Sequence, residues 1–265
     1  MSIAFQPRRF GAINWIGLKT LYLKEVRRFL KVYLQTVIAP AVTALLFFAI
    51  FALALEGAVR ELGGVPFLEF LAPGLIMMAL AQNAFANTST TLIVAKMQGT
   101  VVDLMLPPLS PAEVLVAVVA GGVSRALLIG ALLSLALLAF VPIGVEHWGF
   151  VLFHAVAASI VLSLLGLIAA IWAEKFDHVA AVNNFIVTPL AFLSGTFYSV
   201  EQLPEPLVAL THANPFFYMI DGFRYGFIGY ADGSLDAGLA VMAGSALALC
   251  ILAHRMLASG YKLKA

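Results

Sequence analysis

Residues 149–172 read GFVLFHAVAASIVLSLLGLIAAIW, a run that contains no Asp, Glu, Lys or Arg. As a helix rising about 1.5 Å per residue, such a run exceeds the roughly 30 Å of a bilayer's hydrocarbon core. The run is continuously apolar instead of alternating with period two, and it is about twice as long as a barrel strand, so it reads as helix. Five further runs of the same kind occupy 32–55, 70–93, 114–139, 180–199 and 237–258. The expected fold is an all-α membrane protein with six transmembrane helices, forming one domain over 1–265.

Composition says the same. Of 265 residues, 62% are hydrophobic and 11% charged, against about 45–50% and about 25% in soluble domains. The excess apolar surface must face lipid. The lone Cys250 excludes an intramolecular disulfide framework and a Cys-rich metal site. No cleavable signal is expected, because the first 30 residues hold a charged amphipathic stretch and no apolar block followed by a cleavage site.

A net charge of +1 matters less than its division between the two sides, and no nucleic-acid partner is expected. With the termini placed in the cytoplasm, that side collects twelve cationic residues. They are Arg8, Arg9, Lys19, Lys24, Arg27, Arg28, Lys31, Lys96, Lys175, Arg255, Lys262 and Lys264. The opposite side keeps only Arg60 and Arg224, while nine of the acidic residues, from Glu56 to Asp236, fall there. This is a positive-inside pattern with both termini cytoplasmic. Arg125 is left over, midway along the third span with no carboxylate at its depth. Either it lies near the cytoplasmic headgroups and snorkels, or it faces a hydrated interior.

Ahead of the first span, residues 13–31 place Trp15, Leu18, Tyr22, Val26 and Phe29 at helical spacing, with Lys24, Arg27, Arg28 and Lys31 across the wheel. This predicts an interfacial amphipathic helix, serving as an anchor or as a partner surface. Catalytic signatures are absent. There is no Gly-Lys dipeptide and hence no P-loop, and no His-Glu-x-x-His or Gly-x-Ser-x-Gly arrangement. His147 beside Glu146 and His178 beside Asp177 read as solvated loop residues, and His154 as hydrogen-bonded packing. Without acidic residues in the span cores, an ion-coupled carrier is disfavoured.

Side-chain amides gather in two spans. Asn83 and Asn87 share one face of the second, and Asn184 and Thr188 one face of the fifth. Interhelical hydrogen bonding and a path for a polar substrate explain these pairs equally well. Pro40, Pro73 and Pro189 permit kinks. Between Lys96 and Glu113, a short helix over Thr100 to Leu106 should end at Pro107, with Ser110 capping the next helix ahead of Pro111 and Glu113. Such a lightly charged apolar helix needs a cover, most simply another protein. The aromatic outer segment around Asn214, Pro215 and Tyr218 should dip back into the membrane before the last span, and Asp221 and Arg224 are spaced to pair on a helix surface.

These residues resemble the permease subunits of ABC-2-type exporters, a family that includes bacterial drug and polysaccharide export permeases. The likeness covers nearly the whole chain. Its carriers are the basic N-terminal helix, the inner run Gly99 to Ser110, and the outer run from Phe192-Leu193-Ser194-Gly195-Thr196-Phe197 through Leu203-Pro204 to Asn214-Pro215-Phe216-Phe217-Tyr218 and Arg224. The resemblance implies a multi-pass protein of the bacterial cytoplasmic (inner) membrane, a homodimer seated on two copies of a separate ATPase. That partner binds the ATP, and this chain needs no cofactor. The resemblance further implies that Gly99, Thr100, Asp103, Leu106 and Pro107 belong to a cytoplasmic coupling helix that contacts the ATPase. Asn83, Asn87, Asn184 and Thr188 then line the translocation path, and Asn214, Pro215, Tyr218, Asp221 and Arg224 form the outer motif. Val101 and Val102 depart from the family, where many relatives carry Glu or Arg. The competing expectations are a nucleotide-independent channel or facilitator, and a membrane enzyme acting on a lipid-linked substrate.

Overall fold

A computed structural model describes residues 11, 13–55, 61–62, 64–142 and 144–263. Arg8, Arg9, Glu56, Arg60 and Lys264, all used in the charge division, lie outside the described residues. The chain runs through α1 (Trp15–Lys31), a π turn (Leu34–Ile38), α2 (Ala39–Leu55), a two-residue hairpin of β1 (Glu61–Leu62) and β2 (Val65–Pro66), α3 (Phe67–Met97) and the one-turn α4 (Val101–Met105). There follow α5 (Pro111–Leu137), α6 (Trp148–Trp172), α7 (Phe176–Val182), a second π turn (Asn183–Val187), α8 (Thr188–Phe192), α9 (Glu205–His212), α10 (Pro215–Ile228) and α11 (Leu235–Ser259).

Five helices among the described residues are long and apolar enough to cross a membrane: Leu34–Ala54, α3, α5, α6 and α11. They match five of the runs read from sequence, with ends displaced by a few residues. The run expected at 180–199 differs. Its helix starts at Phe176 and stops at Phe192, and the chain from 193 to 199 is irregular, a turn followed by bends. Leu193, Phe197 and Tyr198 extend the hydropathy window, but the backbone leaves helical geometry at Leu193, and Gly195 at φ +72° turns the chain away from the helix axis.

α3 is the central post. At 31 residues it is about 46 Å long, longer than the hydrocarbon core is thick. It packs against α2, α5, α6 and α10, and Phe70, Leu71, Ile76, Met77, Leu80, Phe85, Leu92 and Ile93 are fully enclosed. Glycines set the closest approaches. A Cβ on Gly166 of α6 would sit 2.4 Å from the Phe85 carbonyl oxygen and 2.5 Å from Thr88 Oγ1. Through this gap Thr88 Oγ1 donates across to the Ser163 carbonyl at 2.7 Å. α11 lies at the periphery, burying only Gly238, Met242, Ala253 and Leu257. α2 shows its apolar outer face, with Leu46, Ile50 and Leu53 exposed.

The C-terminal ends of α3, α6 and α11 meet the N-terminal end of α5. Lys96 Nζ donates to the Ile171 carbonyl at 2.9 Å and to that of Ala173, capping the end of α6. Lys262 bridges to Glu174 at 2.7 Å. The bond to Lys262 holds the Glu174 carboxyl below the usual carboxylate range and raises the lysine in return.

Candidate functional site

Both π turns end two residues before a proline, and the proline explains each. Pro40 has no N–H and its ring crowds the carbonyl of residue 36, so the turn widens and the Ala39 N–H reaches back to the Leu34 carbonyl. Pro189 does the same to residue 185, with the Thr188 N–H bonded to the Asn183 carbonyl. The carbonyl released at Thr36 is taken by Arg125, whose Nε donates to it at 3.1 Å. Arg125 Nη2 donates to Asn83 Oδ1 at 2.8 Å, and Asn83 Nδ2 donates to the Ala79 carbonyl at 2.8 Å. Arg125 is therefore buried inside the protein, held by a backbone carbonyl and a carboxamide. It neither snorkels to a surface nor stands in open water.

One helical turn along α3, Asn87 meets a second arginine. Arg28 Nη2 donates to both the carbonyl and Oδ1 of Asn87 at 3.0 Å, and Arg28 pairs with Glu25 at 3.2 Å. Thr91 Oγ1 donates to Glu25 Oε2 at 2.8 Å. Glu25 itself is enclosed between Leu21 and Phe29 on the packed face of α1, and a Cβ on Gly121 of α5 would meet its Cβ at 2.6 Å. Thus α1 docks on α5 and α3 through a charged contact, while Trp15, Ile16 and Leu30 point outward. At its start, Asn14 caps α1 by accepting from the Gly17 N–H at 3.0 Å and also donates to the Pro108 carbonyl at 3.2 Å. Its own N–H is bonded to Glu113.

Between α2, α3 and the α7 segment lies a cavity of about 570 Å³. Both π turns reach it, through Gln35 on one and Asn183 and Asn184 on the other. α3 contributes Gln82, Asn83, Ser89 and Thr90 on the polar side and Leu75 and Met78 on the apolar side. Of the four expected path residues, Asn83 and Asn184 line this cavity. Asn87 is turned toward Arg28, and Thr188 stands one turn farther on, half-buried at the start of α8.

The inner-loop residues form one compact feature. Gly99, at φ +69°, ends α3 and lets the Thr100 N–H bond the Ala95 carbonyl at 2.9 Å. Thr100 is the N-cap position of α4, and Leu106 follows its last turn. Val101 is buried and Leu104 half-buried near Leu109, Val114, Leu257 and Leu263. Val102, Asp103, Leu106 and Pro107 face outward, Leu106 with 74% of its surface exposed. Ser110 and Glu113 close a capping box at the head of α5.

In the outer motif, Asn214 caps α10, accepting from the Phe216 N–H at 3.0 Å. Its Nδ2 donates to the Leu190 carbonyl at 2.9 Å and to Ser194 Oγ at 2.8 Å, which ties α10 to α8. Pro215 opens the helix, and Tyr218 is half-buried with its ring edge-on to Phe217. Asp221 and Arg224 do not pair with each other as expected. Asp221 accepts from the N–H groups of Asp232 and Gly233 at 2.8 and 3.0 Å. Arg224 instead lies over the Phe70 ring, 3.7 Å from its centroid, bonds the Gly195 carbonyl and faces Asp232 at 3.8 Å. Asp232 also accepts from Ser199 Oγ at 2.6 Å and from the Tyr230 hydroxyl at 2.7 Å. The turn after α10 thus comes close to the carboxylate and the guanidinium, and takes each for itself.

Sequence reasoning missed Glu25 and Asp232, and no local pattern marks either as buried. The released carbonyl at Thr36 did leave a signal: a proline four residues later and an arginine lacking a carboxylate. His154 is enclosed against Gly222, with Nδ1 bonded to the Phe150 carbonyl at 3.0 Å. Among the described residues no cluster of His, Cys, Asp and Glu could hold a metal ion.

A fold of long apolar helices around a largely apolar cavity with amide and hydroxyl groups in its wall suits transport, and the sequence comparisons agree. The chain is 35% identical over 252 residues to the inner membrane transport permease YadH of Escherichia coli K12, covering 95% of this chain and 98% of that one. It is 25% identical over 203 residues to nodulation protein J of Sinorhizobium fredii, covering 75% and 74% of the two chains. Nodulation protein J of Rhizobium leguminosarum bv. viciae is 23% identical over 230 residues, covering 84% and 85%. Residues 17–228, from the first turn of α1 to the end of α10, match the model of the ABC-2 type transporter, and this multi-pass chain of membrane helices belongs to that family.

Proposed function

We propose that the chain is the permease subunit of an ATP-driven exporter, a homodimer seated on two copies of a separate ATPase. The membrane named for the E. coli relative supports placing it in the bacterial cytoplasmic membrane, with both termini inside. In this reading the chain crosses six times, with residues 176–192 as the short fifth crossing. α1 lies along the inner interface and α10 is a re-entrant segment at the outer face.

The observation that carries the reading is α4. It projects from the end where α3, α5, α6 and α11 gather, and it leaves Val102, Asp103 and Leu106 uncovered. An exposed leucine beside a carboxylate, fixed by Gly99 and buried Val101 beneath, suits a cleft in a partner. α4 would be the coupling helix, with Gly99, Thr100, Asp103, Leu106 and Pro107 at the ATPase contact. Asn83 and Asn184 would line the translocation path. Asn87 and Thr188 would hold its walls, and Asn214, Pro215, Tyr218, Asp221 and Arg224 would brace its outer end. ATP is bound by the partner, consistent with a chain that lacks the Gly-Lys of a P-loop.

The test is reconstitution with the ATPase. Leu106→Asp and Asp103→Lys should each leave the chain folded and lower ATP-linked export at least about tenfold, since 1.4 kcal/mol of lost contact suffices. Unchanged coupling in both variants would refute the assignment of α4. Flux through the purified chain without nucleotide would favour a channel or facilitator instead.

A further inference from the structure

We propose that the cavity between α2, α3 and the two π turns takes an amphipathic molecule with an un-ionised, hydroxyl- or amide-bearing head, and that the head sits toward the α4 end. This rests on the reading of that cavity as the cargo path. None of its lining residues among those described is charged. An ammonium, carboxylate or phosphate entering it would therefore shed water with no opposite charge to meet, which is strongly unfavourable.

The lining is nevertheless rich in hydrogen-bonding groups. The side-chain amides of Gln35 and Gln82 make no hydrogen bond to the rest of the described chain; Gln82 is half-buried in the wall and Gln35 is exposed at the cavity's mouth. Asn184 uses its oxygen to accept from Asn183 at 3.1 Å and keeps its N–H groups for a ligand. Asn83 is different: both ends of its amide are engaged, so it is wall and not reader. A carboxamide both donates and accepts, and its best complement is a group that does the same, a hydroxyl or another amide.

Polarity is graded along α3 and α2, while Phe85, Phe176 and Val179 keep apolar surface beside the polar groups at the α4 end. On α3, Gln82, Ser89 and Thr90 lie toward the C-terminal end, which leads to α4, while Leu75 and Met78 lie toward the other. Phe47, late in α2, adds to the apolar end, and Gln35, before α2, to the polar end. A volume near 570 Å³ falls within the range of about 300–1,000 Å³ that holds a drug-sized molecule. Arg125, directly behind Asn83, adds a positive potential that further disfavours cations.

The experiment is native mass spectrometry of the full chain in phosphatidylcholine nanodiscs. Three probes with the same ten-carbon tail are titrated: decyl maltoside, decyltrimethylammonium and decyl sulfate. The expected result is one decyl maltoside per chain, bound about tenfold more tightly than either ionised probe. Gln82→Leu and Gln35→Leu should each weaken decyl maltoside about fivefold, the effect of one lost neutral hydrogen bond of about 1 kcal/mol. An ionised probe that binds as tightly as the maltoside overturns the proposal. So does wild-type affinity in both leucine variants, or a cavity filled by a second copy of the chain and closed to all three probes. Selective binding in a chain that drives no ATP-linked export would sink the export reading and leave this one standing. ATP-linked export with no head selectivity would do the reverse.

Discussion

Arg125→Met tests the link between a proline, a widened turn and a buried cation. The substitution keeps much of the side chain's length and removes both donors. It leaves two acceptors unpaired: Asn83 Oδ1, and the Thr36 carbonyl, which loses the 3.1 Å bond that Pro40 forces it to find outside its own helix. A buried acceptor left unpaired costs about 1–3 kcal/mol. Relief from burying a guanidinium offsets part of this, because charge burial is itself unfavourable. The net destabilisation should be about 1–2 kcal/mol. The informative step is the double variant. Pro40→Ala restores an N–H four residues after Thr36, so the carbonyl can bond within the helix as in any regular turn. Added to Arg125→Met, Pro40→Ala should return about 1 kcal/mol, the worth of one hydrogen bond, whereas in the wild-type background it should gain nothing comparable because Arg125 already serves the carbonyl. The assay is equilibrium unfolding of the four proteins in lipid nanodiscs or mixed micelles, read as a double-mutant cycle. Strict additivity of the two substitutions would refute the account of why Arg125 is buried where it is.

Gly166→Ala places a Cβ 2.4 Å from a backbone oxygen of α3 and should destabilise by about 1–3 kcal/mol, whereas Gly244→Ala on α11, which meets nothing within 4 Å, should stabilise by up to about 1 kcal/mol; the same unfolding assay reads both. Asn214→Ala removes the cap of α10 together with its bonds to Leu190 and Ser194, and should lower stability by about 2 kcal/mol, while Asn214→Asp, which keeps the cap and loses the donor, should fall between the two. The Glu174–Lys262 tether should hold at neutral pH. Because the folded carboxyl titrates below its ordinary range, its contribution is present above that range and is lost as acid protonates Glu174; because the folded lysine is raised, it is lost again in strong alkali. Faster acylation of Lys262 in Glu174→Gln than in the wild type at neutral pH checks it.

Span positions were legible because bilayer thickness is a length constraint that any apolar run must meet, and five of the six runs found helices within a few residues of their expected ends. The exception shows what hydropathy omits: at 193–199 the residues remain apolar or small enough for lipid, but Gly195 at positive φ decides the backbone. The capping box of Ser110 and Glu113 was legible because it is local, four residues bonding among themselves. The polar contacts of the candidate site were not, since Arg125 to Thr36 and Asn83 and Arg28 to Asn87 join residues distant in sequence, and Arg224 to Asp232 depends on how the turn after α10 folds back. Helical spacing offered Asp221 and Arg224 as a pair, yet spacing fixes only which face a side chain leaves from. A carboxylate beside two free N–H groups of a turn meets them in place of a neighbour on its own helix, because two bonds to fixed donors ask for less ordering than one long, flexible ion pair. The same reasoning bears on Asn83 and Asn87. Both stand on one face of α3, as their spacing requires, but an arginine approaches each from a different element. One amide is thereby fixed into the cavity wall and the other is drawn away from it. What a shared face cannot specify is the partner across it, and at these two positions the partner decides which asparagine a passing molecule would meet.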